Sequence, residues 1–271
     1  MKTLMTILCA SLAGSAAFAA DHCAAGKTLT DGVLTIATGN PAYYPWVMDD
    51  APESKQGFEA AVAYAVANEM GFADDAVTWV RTSFDEAIQP GAKNFDFNLQ
   101  QYSITPEREE TVDFSLPYYS SAMAVLTTTS VVEKVGEPTM ENLKGLIWGA
   151  GASHTGASVV ASVISPDQDV LLYNDNTDVT AALQANQIDA ALFDLPTALY
   201  LSAVVVENGA LLGQFPADRS ENPDQFGLLM ADGSALKPCV DEAIQALTDS
   251  GKLAEIEAEW LQGATGVPVI Q

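Results

Sequence analysis

The chain has 271 residues, 48% of them hydrophobic, and carries 36 acidic against 11 basic side chains for a formal net charge of -25. Such an excess of acid repels phosphate and anionic lipid, which excludes nucleic-acid binding and adhesion to anionic membrane surfaces. The length and apolar content allow one large domain or two smaller ones, and no internal repeat or low-complexity run interrupts them.

In chain order, the first feature is Met1-Lys2-Thr3, an apolar run over residues 4–17, and Ala17-Phe18-Ala19. A charged n-region, a short h-region and an Ala-x-Ala site predict a secretory leader cleaved after Ala19, too short to remain as a membrane-spanning helix. The mature protein is therefore expected in the periplasm. Losing Lys2 takes the net charge from -25 to -26, and Cys9 leaves with the leader. Cys23 and Cys239 remain. Asp21-His22 before Cys23 is unlike a lipoprotein cleavage site. An oxidising compartment lets one disulfide persist; the alternative is two free, buried thiols. Closing so long a loop would stabilise by about 4–5 kcal/mol on chain-entropy grounds.

Residues 33–37 then read as a buried strand, and residues 56–70 as a helix with Phe58, Val62, Ala65, Val66 and Met70 on one face. Glu59 suits its first turn and Gly71 its end. Residues 77–81 and 95–99 are further strands, so the strand–helix–strand order predicts a parallel-sheet α/β unit. A long β-favouring run over 118–128 divides this unit from a second. The second comprises a strand at 146–148, a helix over 155–164, a strand at 170–173, and a helix capped by Asp178 that runs to 186. A strand at 190–192 and a short helix after Pro196 follow. A strand at 226–230 leads to two closing helices. Val240, Ala243, Ile244 and Leu247 line the first, and Leu253, Ile256 and Trp260 the second. Gly251 separates them and Gly263 ends the last.

The stretch with the most chemistry is Ser103-Ile104-Thr105-Pro106-Glu107-Arg108, followed by Val112-Asp113-Phe114-Ser115 and Pro117-Tyr118-Tyr119. An arginine placed among small hydroxyls in so acidic a chain suits a carboxylate ligand, which a guanidinium grips with two parallel hydrogen bonds. The alternative is an ordinary surface arginine. Gly151-Ala152-Ser153-His154-Thr155-Gly156 sets serine beside histidine, but Thr155 occupies the place where a nucleophile elbow needs glycine. The same segment reads better as a helix N-terminus whose amides can face an anion. Asn174-Asp175-Asn176-Thr177-Asp178 fails as a calcium loop, because Val179 and Ala185 stand where glycine and glutamate are required. His22 and His154 are the only histidines, and no phosphate loop or dinucleotide glycine motif occurs, so no metal and no cofactor are expected.

Together these segments resemble the periplasmic solute-binding proteins of polar-amino-acid ABC transporters, extracellular solute-binding protein family 3. The resemblance spans about residues 30–263. It is carried by Pro41-Ala42-Tyr43-Tyr44-Pro45-Trp46, Gly57-Phe58-Glu59, Phe95-Asp96, Ser103 to Arg108, and Asp113-Phe114-Ser115 with Pro117-Tyr118. Later come Gln187-Ile188-Asp189-Ala190-Ala191 with Asp194, and Gly251, Leu253, Trp260 and Leu261. It implies an α/β, two-lobed, Venus-flytrap (type II) fold with two hinge crossovers. Residues 20–119 and 225–271 would form the first lobe and 122–222 the second, with hinge strands near 118–126 and 222–230. It implies that Arg108 pairs with a ligand α-carboxylate, helped by the hydroxyl and amide of Ser103 and by Thr155 from the opposite lobe. Asp194 would take the ammonium with the Gln101 carbonyl, unless it merely caps the helix at Leu195-Pro196. Tyr43 would form a wall; Trp46 lines the pocket or belongs to the core. Gln100, Gln101, Ala61 and Ser153-His154-Thr155 depart from the family's usual residues, and His154 and the glutamines would make the pocket more polar. The implied protein is a monomeric, non-enzymatic carrier that delivers an amino acid to a membrane permease. A dehydratase-type enzyme on the same fold, or a ligand-presenting sensor protein, are the alternatives.

Overall fold

The computed structural model describes residues 23–217, 224–261 and 266–270; the expected leader with Cys9, and His22 and Gly263, lie outside them. The chain runs β1 (Leu34–Thr38), α1 (Phe58–Glu69), β2 (Val77–Arg81), α2 (Phe84–Ile88), β3 (Phe97–Asn98), α3 (Pro106–Glu109) and β4 (Val112–Phe114). It continues through β5 (Tyr119–Ser121), β6 (Met123–Thr128), α4 (Thr129–Val135), α5 (Met140–Lys144), β7 (Trp148–Gly151), α6 (Thr155–Val159), β8 (Leu171–Tyr173), α7 (Asn176–Gln184), β9 (Ala190–Asp194) and α8 (Leu195–Tyr200). It ends with β10 (Gly209–Phe215), β11 (Asp224–Phe226), β12 (Leu229–Ala231), α9 (Lys237–Asp249) and α10 (Lys252–Trp260).

These elements build two α/β lobes. The first sheet has the order β2-β1-β3-β12-β4, with β1 parallel to β2 and β3 and β12 antiparallel to its neighbours. The second has the order β10-β6-β9-β7-β8, mixed in the same way. Leu34, Ile36 and Phe97 from the first sheet pack with Phe58, Val62 and Val66 of α1 and Val240 and Ile244 of α9. The second sheet is covered on both faces, Leu126 and Ala191 meeting Val179 and Leu183 of α7 on one side. Val125 and Leu192 meet Trp148 and Val160 on the other. Burial on both faces explains why these strands read as apolar runs without alternation.

Between the sheets, β5 and β11 pair antiparallel as a separate two-stranded ribbon, with Asp224 opposite Ser121. The expected single run over 118–128 is broken at Ala122, and the expected strand at 226–230 is interrupted at Gly227-Leu228. A Cβ on Gly227 would sit 2.9 Å from the Ile104 side chain, which would have to shift to admit it.

Four other expectations shift. The strand expected at 146–148 begins at Trp148 and runs to Gly151, because the Asp189 carboxylate takes the amide of Ile147. The strand expected at 95–99 shortens to Phe97–Asn98, since Asp96 uses both carboxylate oxygens, 2.7 Å from the amides of Leu29 and Thr35, to fasten the N-terminal segment. Helix α7 starts earlier than expected: its cap is Asp175, which accepts from Thr177 and Asp178, not Asp178 itself. Lastly, residues 267–270, placed with the first lobe by the resemblance, return to the second sheet. Gln214 and Ile270 bond along the free edge of β10, and Ile270 is buried beside Leu212. An apolar tail covering an edge strand hides both its own surface and the unpaired edge.

Cys23 and Cys239 form a disulfide with a Cα–Cα separation of 5.5 Å across 216 residues of sequence. It joins the start of the described chain to α9.

Candidate functional site

Loops at the ends of strands from both sheets meet around one cavity. All seven residues singled out from sequence, Tyr43, Gln101, Ser103, Arg108, His154, Thr155 and Asp194, line it. The first sheet supplies Tyr43, Gln101, Ser103 and Arg108; the second supplies His154, Thr155 and Asp194.

Arg108 sits on the short helix α3, whose cap Thr105 accepts its amide. Pro106 at the first helical position suits that helix start. The guanidinium is not surface decoration. One terminal nitrogen donates to the Ser103 carbonyl at 2.8 Å and the other to the Ser153 carbonyl at 2.9 Å, so it bridges the two lobes. Its plane lies over the Phe84 ring, 5.2 Å from the centroid. Burial works against its charge, and Asp224 is the main group supporting it. A guanidinium has five N–H donors, so donors remain for a ligand.

Asp194 ends β9 and begins α8. It does cap that helix, accepting from the Thr197 amide at 2.8 Å, and it also faces the cavity. Burial is the main cause that raises its carboxyl from the ordinary 3.8 to about 7, against the Thr197 hydrogen bonds that lower it.

Thr155 and Ser103 hydroxyls lie 3.3 Å apart across the cleft. Tyr43 reaches Thr177 at 3.2 Å, and the Trp46 indole N–H donates to Thr197 at 2.9 Å. Trp46 is thus both core and lining: it is 1% exposed, packs edge-on against Phe58, Tyr119 and Phe226, and still touches the second lobe. His154 stacks on Phe84 with ring centroids 4.2 Å apart. Burial, then the nearby Arg108 charge, lower its imidazole to about 4, so it stays neutral.

Of the lining residues to which the sequence reading gave no role in the cleft, three bear directly on Arg108 and Gln101. Glu59 figured there as a first-turn helix residue and in the Gly57-Phe58-Glu59 motif, with no role in the cleft. It is buried, and it accepts from the Gln101 amide at 2.8 Å, the Gln101 side-chain amide and the Tyr118 hydroxyl. Burial raises its carboxyl to about 7. Its grip fixes Gln101, a non-glycine residue at φ 50° in the left-handed region. A charged side chain in the otherwise apolar start of α1 was the available signal. Asp224 and Phe84 gave none; only the fold brings them beside Arg108. Burial raises the Asp224 carboxyl, while Ser103 and Arg108 pull it down.

The cavity therefore presents one guanidinium and three carboxyl groups among its described lining residues, with hydroxyls and aromatic rings between them. Among the described residues, no group of three histidine, cysteine or acidic side chains is placed to hold a metal ion. Cation and anion contributed to one pocket by different lobes can hold a small zwitterion, each charge desolvated against its partner.

The pattern of the bacterial extracellular solute-binding proteins, family 3, matches residues 34–263. The arginine-binding periplasmic protein of Mannheimia haemolytica is 25% identical over 248 residues, covering 88% of this chain and 95% of that one. The cyclohexadienyl dehydratase of Pseudomonas aeruginosa is 24% identical, covering 96% and 94%. Among solved structures, an amino acid ABC transporter substrate-binding protein from Streptococcus pneumoniae bound to L-arginine superposes with a TM-score of 0.66 at 23% identity, covering 87% of this chain and 97% of that one.

Proposed function

This chain belongs to the bacterial extracellular solute-binding proteins, family 3, and from that membership and its cleft we propose that it is the periplasmic ligand-capturing component of an ABC transporter, carrying a free α-amino acid to a membrane permease. The observation that carries the reading is Arg108 from one lobe and Asp194 from the other lining a single cavity. In this reading the remaining donors of Arg108, with the Ser103 and Thr155 hydroxyls, hold the carboxylate. Asp194 and the Gln101 carbonyl hold the ammonium, and Tyr43 forms a wall. A ligand that touches both lobes stabilises the closed arrangement, since only that arrangement offers both sets of contacts. The expected leader and the Cys23–Cys239 disulfide support an oxidising compartment.

The test is a thermal-shift screen of the mature protein with the common amino acids. A bound ligand at 100 times its dissociation constant adds about 2.7 kcal/mol of stability. At least one free amino acid should raise the melting temperature; if none does at millimolar concentration, the reading fails. A second reading, a dehydratase acting on a cyclohexadienyl acid, is favoured by one observation: Asp194 lines the cavity with a carboxyl held near 7, where a general acid works. Turnover of such an acid, followed by the rise in ultraviolet absorbance as its ring becomes aromatic, would install the second reading in place of the first.

A further inference from the structure

The rings of His154 and Phe84 come from opposite lobes, and both line the cavity. Their centroids are 4.2 Å apart and their planes differ by 24°. That is direct ring-on-ring contact. A ligand side chain lying between two rings needs about 3.5–4 Å to each of them, or roughly 7–8 Å in all. The slot between these rings is closed. The chain is shaped to allow it: a Cβ on Gly151 would collide with Cδ2 of His154, so that glycine gives the imidazole its seat. The same pairing recurs in the first lobe, where a Cβ on Gly39 would come within 2.9 Å of the Gln100 side-chain nitrogen. Gln100 lies along that glycine, held by a 2.9 Å hydrogen bond from the Tyr102 hydroxyl. Two long side chains thus fold into the cleft over two glycines, one from each side.

We propose that the Phe84–His154 stack is the specificity-determining element of this cleft, closing the slot between the two rings so that it takes amino acids with short side chains and rejects long ones that would have to part the rings. The inference rests on the amino-acid-carrier reading. His154 is neutral in this setting, so the stack brings no second cation beside Arg108. Its contribution is shape.

The test is calorimetric titration of the mature protein with alanine, serine, arginine and phenylalanine, repeated on His154→Ala and Phe84→Ala. Wild type should bind alanine or serine at least 30-fold more tightly than arginine or phenylalanine. In either variant the long-to-short affinity ratio should rise at least 10-fold, whatever happens to the absolute affinities. If wild type binds arginine or phenylalanine as tightly as the short ligands, or if the ratio moves in neither variant, the size filter is wrong while the carrier reading stands. If neither wild type nor the widened variants bind any of the four, and the full screen is also blank, the carrier reading itself falls.

Discussion

Replacing Asp194 with asparagine separates two jobs that one side chain performs in this structure. The first is structural: its Oδ1 accepts from the Thr197 amide at 2.8 Å and caps α8. Asparagine is as good a cap as aspartate, so the helix should survive. The second is charge. Burial holds the carboxyl near 7 instead of its ordinary 3.8, a bias against the charged form of about 4 kcal/mol. A ligand ammonium is the group that would stabilise the carboxylate there. Removing one partner of a buried pair costs about 3–5 kcal/mol, so Asp194→Asn should weaken amino-acid binding by roughly two to three orders of magnitude at pH 8. The ligand-free variant should at the same time melt no lower than wild type at that pH, because the variant has no carboxylate to desolvate. Wild type should also release close to one proton on binding near pH 6, and the variant none. Calorimetry in buffers of different ionisation enthalpy reads both affinity and proton count. Equal affinity losses for an amino acid and its des-amino analogue, or proton release that persists in the variant, would refute the ammonium role.

Arg108→Ala should abolish measurable binding of any free α-amino acid, since a carboxylate left unpaired costs several kcal/mol; unchanged affinity by calorimetry would end the proposed pose. Glu59 has a folded-state value raised by burial from 4.5 to about 7, so the native state binds more protons than the unfolded chain between those values and stability falls as pH rises through that window. The fall from Glu59 is about 3 kcal/mol, and ligand-free melting temperature should drop from pH 5 to pH 7.5; a rise over that range contradicts the assignment. Opening the Cys23–Cys239 bridge, which spans 216 residues, should cost about 5 kcal/mol on chain-entropy grounds; a Cys239→Ser variant that melts within two degrees of wild type would show that the unfolded chain does not feel the link.

Most of the fold was legible because its signals are local. The limits of β2 follow from Val77 to Arg81, and Gly251 marks the break between α9 and α10 as expected. What failed was decided at a distance. Asp189 takes the Ile147 amide, Asp96 takes those of Leu29 and Thr35, and the tail at Ile270 finds the edge of β10. None of these pairings leaves a trace in the periodicity of either segment. The same division holds in the cleft. Arg108 and Thr155 stood out through their motifs, whereas Phe84 and Asp224 look like any helix start and any loop acid. Glu59 lay between these cases: it was visible as a charge in an apolar helix, but its partners Gln101 and Tyr118 come from 42 and 59 residues away.

The charge of the cleft is a separate matter from the charge of the chain. Exposed acids are screened over about 8–10 Å of saline solution, but Glu59 and Asp194 are buried, Glu59 in the field of Asp194 and Asp194 in that of Asp224. A simple carboxylate ligand adds one more anion to this set, while a zwitterion adds none net. The two ligand types should therefore respond to pH in opposite directions. Amino-acid binding needs Asp194 charged, so its affinity should fall by up to tenfold per pH unit below about 7, the proton having to leave first. A des-amino analogue is held best when Asp194 is neutral, so its affinity should rise over the same interval. Titrating both ligands at pH 5.5, 6.5 and 7.5 by calorimetry distinguishes the cases. Parallel trends would mean that the carboxyl facing the cavity does not sense the ligand's ammonium, and the arrangement of charges described here would then not be what selects an amino acid.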